Sequence, residues 1–252
     1  MEALLSELGL SSAQFAILFG TVFLGALVQG AIGFGLNLIV VPALAAFRPE
    51  ALPAAAVMLA IPMTFGSAVR ERAHIDRSAV LWATLGRLPG IVLGVWIVKS
   101  VDDAALARLS GGMVLLAVAM SVATARLAIT PVSQLAAGWL GGVMGTASSI
   151  GGPPLALLYQ HSPGPVVRAT LGAAFLVGTT LTLLSLIMAG EVQVLDWRMA
   201  GALVPAVPLG LLASRALHGW LERGWLRPCV LALCATAGLG VLLHGLFPSA
   251  SI

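Results

Sequence analysis

Two apolar stretches of this chain are too long to be single membrane crossings, and each is interrupted by glycine and proline. Residues 14–47 and 133–160, if continuously helical at 1.5 Å per residue, would measure about 51 and about 42 Å, against about 30 Å of hydrocarbon. The first carries Gly30-Ala31-Ile32-Gly33-Phe34-Gly35 and Pro42; the second carries Gly145 and Gly151-Gly152-Pro153-Pro154. The pattern predicts helix, break, helix in each, as a re-entrant hairpin or two short crossings. A broken backbone at membrane depth survives only where protein or a wet cavity satisfies its polar groups. Composition supplies the membrane: 59% of the 252 residues are hydrophobic and 9% charged, where soluble domains carry about 25% charge. So few charges cannot coat a globule, which excludes a soluble enzyme, a nucleic-acid module and a disordered chain.

Six further apolar runs, 51–69, 79–98, 109–125, 166–189, 197–213 and 226–247, are joined by short loops that leave no soluble domain and no GxxxxGK[ST] motif. Cys229 and Cys234 lie five apart in an apolar run and fit packing rather than a redox pair or zinc site. No Lys or Arg precedes Arg48, so a cleaved signal peptide is not expected.

The two breaks resemble copies. Ile32-Gly33-Phe34-Gly35 matches Ile150-Gly151-Gly152-Pro153 at an offset of 118. Pro89 to Gly94, followed by Lys99, matches Pro205 to Gly210, followed by Arg215, at an offset of 116. Matching order and spacing predict a duplicated chain, with repeats over 1–126 and 127–252 in one membrane domain. Charge then bears on their relative orientation. With eight simple crossings the basic residues divide five against seven. If each broken segment leaves on the side it entered, Arg70, Arg72, Arg77, Arg126, Arg168, Arg215, Arg223 and Arg227 share one side. Arg48, Lys99, Arg108 and Arg198 share the other. The positive-inside rule favours the second count. The expected fold is therefore an all-α polytopic membrane protein of two inverted repeats. Each is a broken-helix hairpin followed by three transmembrane helices.

Inverted repeats with broken helices point to a secondary transporter whose site lies where the repeats meet. Half-helix N-termini expose N–H groups that suit an anion. Residues 33–35 (Gly33, Phe34, Gly35) and 149–152, notably Ser149, Gly151 and Gly152, are expected to supply them. Gln29 and Asn37 beside the first break, and Thr146, Ser148 and Ser149 beside the second, add polar side chains that either contact the anion or satisfy helix backbone. Arg87 has two readings: a guanidinium facing the site, suited to a sulfonate, carboxylate or phosphate, or a side chain snorkelling to the nearer interface. All ten acids fall in termini or loops, which counts against a cation carrier. His161 follows the second break and reads as structural, with a proton-coupling role as the alternative. The six tryptophans fall mostly near segment ends, as interfacial belts do.

The glycine-rich breaks, residues 30–35 with Pro42 and 145–154, together with the Pro-x-x-x-Leu-Gly-x-x-x-x-basic element at 89–99 and 205–215, resemble the TauE/SafE family over nearly the whole chain. The commoner family break has three glycines, where this chain has Gly-Phe-Gly-Leu-Asn and Gly-Gly-Pro-Pro. The resemblance implies movement of sulfite or organosulfonates, often outward, across the bacterial inner membrane. The expected function is thus alternating-access transport of such an anion, with no cofactor, no metal, the lipid bilayer as surroundings and no nucleic acid. An anion channel, or a carrier for another oxyanion or carboxylate, is the alternative. An intramembrane enzyme using Ser148 or Ser149 with His161 would need a positioned base and an oxyanion hole, and serine beside glycine is too common in membrane helices to suggest them. A structural subunit leaves the paired breaks unexplained. Direction, coupling ion and homo-oligomerisation are left open.

Overall fold

The computed structural model describes residues 2–123, 127–216 and 226–246. Arg126, with the expected repeat junction beside it, and Trp220, Arg223 and Trp225 lie outside the described residues, as do the side chains of Arg227 and Cys229.

The described chain is helical throughout. A short α1 (Glu2–Leu8) precedes α2 (Ser12–Ile32), which starts at a reciprocal cap between Ser11 and Gln14 and ends where Gly33 turns left-handed at φ 98°. After the break come α3 (Leu36–Phe47), α4 (Ala54–Arg70), α5 (Arg77–Ser100) and α6 (Asp103–Val122). Asp76 and Asp102 cap the last two by accepting from Ala79 N–H and Ala105 N–H, satisfying donors that a helix start leaves open. The second broken segment is α7 (Pro131–Ser148), capped by Thr130, then α8 (Pro153–Tyr159). It is followed by α9 (Gly164–Ala189), α10 (Val194–Leu203), α11 (Ala206–Ala216) and α12 (Leu226–Leu246). Among the described residues, five helical stretches are long and apolar enough to cross a membrane: α2, α5, α6, α9, and α10 with α11 read together. The chain is an all-α polytopic membrane protein. The interruption between α10 and α11 was not expected; Pro205 sits there and has no N–H to continue the helix.

Contacts at the two ends fix where each broken segment begins and finishes. Arg48, just past α3, donates from Nη1 to the Gly9 carbonyl before α2, at 3.4 Å. Gln134 in the first turn of α7 donates to the Tyr159 hydroxyl at the end of α8 (3.0 Å), and that hydroxyl donates to Asp76 Oδ2 (2.7 Å). The start and the finish of each broken segment are thus hydrogen-bonded to one another or to their immediate flanks. Arg168 pairs with Glu71 (2.8 Å), and Arg70 reaches both Glu71 (3.4 Å) and Ser214 (3.4 Å) at one end. At the other, Lys99 donates to the Ala189 carbonyl (3.3 Å) and Arg198 pairs with Glu7 (3.5 Å).

The main helix pairs are α2 with α11, α4 with α9, α5 with α7 and α6 with α12. Small residues let backbones approach, as membrane helices require when lipid supplies no hydrophobic drive. On α5, a Cβ at Gly86 or Gly90 would meet the carbonyls of Leu135 or Trp139 on α7. One at Gly138 of α7 would meet the Ala83 carbonyl in return. Gly210 of α11 lies equally close to the Phe23 carbonyl of α2.

Candidate functional site

The two breaks meet. Gly33 N–H bonds the Gln29 carbonyl at 2.7 Å, closing α2. Gly35, at φ 130°, lets the chain reverse into α3, where Leu36 N–H is capped by Gln29 Oε1 at 3.1 Å. Asn37, in the first turn of α3, donates from Nδ2 to the Ser149 carbonyl (2.9 Å) and the Ala56 carbonyl (3.3 Å). Ser149 is left-handed at φ 63°, a conformation that costs a non-glycine residue roughly 1–2 kcal/mol. It is held there by its hydroxyl donating to the Pro53 carbonyl at 2.7 Å.

Between the breaks lies a cavity of about 50 Å³, room for roughly three to five water-sized groups. Phe34, Gly35 and Asn37 wall it from one break and Ser149, Gly151 and Gly152 from the other, with Gln29 and Arg87 beside them. Among the described residues, the N–H groups of Gly35, Asn37, Gly151 and Gly152 have no hydrogen-bond acceptor. The second break offers fewer donors than expected. Ser149 and Ile150 direct their N–H groups to the Met144 carbonyl, and Pro153 and Pro154 have none.

Arg87 is the charge of the site. It is the eleventh residue of α5, about 15 Å along the helix, and only 6% exposed. Its guanidinium lies in a slot left by three glycines: a Cβ at Gly145 or Gly151 would meet Nη2, and one at Gly178 of α9 would meet Cζ. Among the described residues it makes neither an ion pair nor a hydrogen bond. It points between α7 and α9 rather than out along α5, so it does not snorkel.

Eight of the ten expected site residues thus wall one cavity. Gly33 and Ser148 do not. Gly33 packs on the backbone of Arg168, and the Ser148 hydroxyl folds back onto the Met144 carbonyl at 2.8 Å. His161 is exposed beyond α8 and is not part of the wall. The sequence reading missed Thr64 on α4 and Phe175 and Thr179 on α9, which complete the wall. A signal was available for the threonines: they stand 115 apart, close to the offsets of the two matched motifs. A second cavity of about 190 Å³, lined by Arg168, Gln160 and Ser162, has Phe34 in common with the first.

A helical membrane chain with a buried cationic cavity between two interrupted helices belongs to the class of polytopic transporters for small anions. Residues 18–241 match the profile of the family described as "Sulfite exporter TauE/SafE". The chain is 31% identical, over 85% of its own length and 85% of the relative's, to the "Probable sulfite/organosulfonate exporter TauE" of Cupriavidus necator. No solved structure matches it. The chain belongs to the TauE/SafE family. It is a multi-pass secondary transporter of the inner membrane for a small anion, and not an enzyme.

Proposed function

We propose that the protein exports sulfite or a small organosulfonate by alternating access, holding the anion against Arg87 between the two breaks. The observation that carries this reading is the buried guanidinium without a protein partner on the wall of a small cavity. A buried, unpaired charge is expensive, and an anion in the cavity removes that cost. The N–H groups of Gly35, Gly151 and Gly152, which have no acceptor among the described residues, are left to serve the oxygens that the guanidinium does not reach. The sulfur chemistry is taken from the relative's name.

Two inverted repeats supply the moving parts. The helix pairs support this architecture: second helix packs on second (α4 with α9), fourth on fourth (α6 with α12), and the first of each on the third of the other. That exchange is what a two-fold relation between the repeats produces, whether its axis lies in the membrane plane or along the normal. The hydrogen bonding of each broken segment's finish to its start or immediate flank is its second support.

The test is binding and flux with the purified protein. Arg87→Gln should weaken sulfite binding by about 1.5–3 kcal/mol, roughly tenfold or more, as loss of a charge-assisted hydrogen bond does. Arg87→Lys should recover little if the contact is bidentate. Sulfite efflux from proteoliposomes should fall in parallel. Wild-type affinity in a folded Arg87→Gln protein would refute the site.

A further inference from the structure

The cavity wall holds hydrogen-bond acceptors as well as the donors that suit an anion. All three wall hydroxyls already direct their protons to backbone carbonyls: Ser149 to Pro53 (2.7 Å), Thr64 to Ala60 (2.8 Å) and Thr179 to Phe175 (2.7 Å). A hydroxyl so engaged presents lone pairs to any further neighbour. Asn37 adds a fourth acceptor. Its Nδ2 serves two backbone carbonyls, which settles the amide orientation, and its Oδ1 is buried with no donor. Asn37 is 9% exposed, and such an orphaned acceptor is a cost until a donor reaches it.

Charge is counted as simply. Arg87 is the one ionisable side chain of the wall, so the cavity carries a single positive charge. A dianion would bring one negative charge in excess into a buried space and point it at four acceptors. A monoanion balances the charge, and a monoanion that still holds a proton also has something to give them.

We infer that the site takes its oxyanion in the singly protonated form, as hydrogen sulfite rather than sulfite dianion. The anionic oxygens lie toward Arg87 and the glycine N–H groups, and the proton-bearing edge lies toward Asn37 Oδ1 and the neighbouring hydroxyl oxygens. This rests on the reading of the cavity as the anion site. It adds that the protonation state of the ligand is read by the wall.

The arginine remains charged throughout the working range, so no wall group titrates near neutrality. Any change in relative affinity there belongs to the ligand, and the second ionisation of sulfurous acid falls near neutral pH. Calorimetric titration of the purified wild-type protein with sulfite at about pH 6 and about pH 8.5 makes the comparison. Methanesulfonate, a monoanion at both values with no proton to donate, is the reference. We expect sulfite affinity to fall roughly tenfold or more at the higher pH, while methanesulfonate, which meets the donors of the wall but not its acceptors, binds less tightly than sulfite at the lower pH and keeps the same affinity at the higher. Thr64→Val, which keeps the shape and removes one acceptor, should weaken sulfite binding at the lower pH and leave methanesulfonate unchanged. Sulfite binding that is equal or tighter at the higher pH, or that falls only in step with methanesulfonate, overturns this inference and leaves the anion site standing. Failure of both anions to bind at both pH values overturns the site itself.

Discussion

At the scale of single residues, what a polar side chain does in this protein depends on whether its hydrogen bonds are already made. Gln29 and Ser149 wall the cavity, yet the Gln29 side-chain Oε1 caps α3 and the Ser149 hydroxyl clamps the second break to Pro53. Ser149→Ala should therefore lower stability by about 1 kcal/mol, the net worth of one hydrogen bond. Because the same hydroxyl is a wall acceptor, sulfite binding at about pH 6 should weaken as it does in Thr64→Val, while methanesulfonate affinity stays near wild type; melting temperature and titration, read together, separate the two effects. Eight of the ten expected residues wall the cavity, and seven of those eight were nameable because glycine, serine and amide residues cluster at the two breaks. Their division of labour was not, since a donor's partner can sit far along the chain, as Asn37 and Ser149 do at a separation of 112. Thr64 and Thr179 carried even less local signal. A threonine inside an apolar helix bonds its own backbone in nearly any membrane protein.

At the scale of elements, glycines divide by what surrounds them. A Cβ at Gly90 would meet backbone on α7, whereas one at Gly152 would come within 3.3 Å of the Phe175 ring and 3.6 Å of Phe34 Cβ, at the cavity. Gly90→Ala should force α5 and α7 apart and cost about 1–3 kcal/mol, as overpacking does, seen as a lower melting temperature with wild-type affinity per folded molecule. Gly152→Ala should do the reverse, weakening anion binding while the melting temperature holds. Equal effects of the two on stability would place Gly152 among the packing glycines. The breaks in residues 14–47 and 133–160 were legible because length and composition disagreed there. The interruption between α10 and α11 was not, because residues 197–213 have an ordinary length for one crossing and Pro205 read only as part of a repeated motif. Proline alone decides little here: Pro42, Pro62 and Pro89 all sit inside continuous helices.

At the scale of the whole molecule, the topology can be read by labelling. On a background lacking both native cysteines, Arg72→Cys and His161→Cys should react with an impermeant thiol reagent from the same, cytoplasmic, face. Ser100→Cys should react only from the opposite one. Labelling of positions 72 and 161 from different faces would end the two-fold arrangement. Composition made the membrane legible and the basic residues hinted at orientation, but the exchange of partners between early and late helices left no mark on either. That exchange matters for how the protein is made. The main partners of α4, α5 and α6, and α11 as the main partner of α2, all follow residue 130, so much of the close-packing surface of the first half stays bare until the second half is made. Helix α2 waits longest, for α11. Synthesis thus delivers something like one subunit of an obligate dimer followed by the other. Cutting the polypeptide near residue 125 and supplying the pieces together is a more natural disassembly of this protein than removing any one helix.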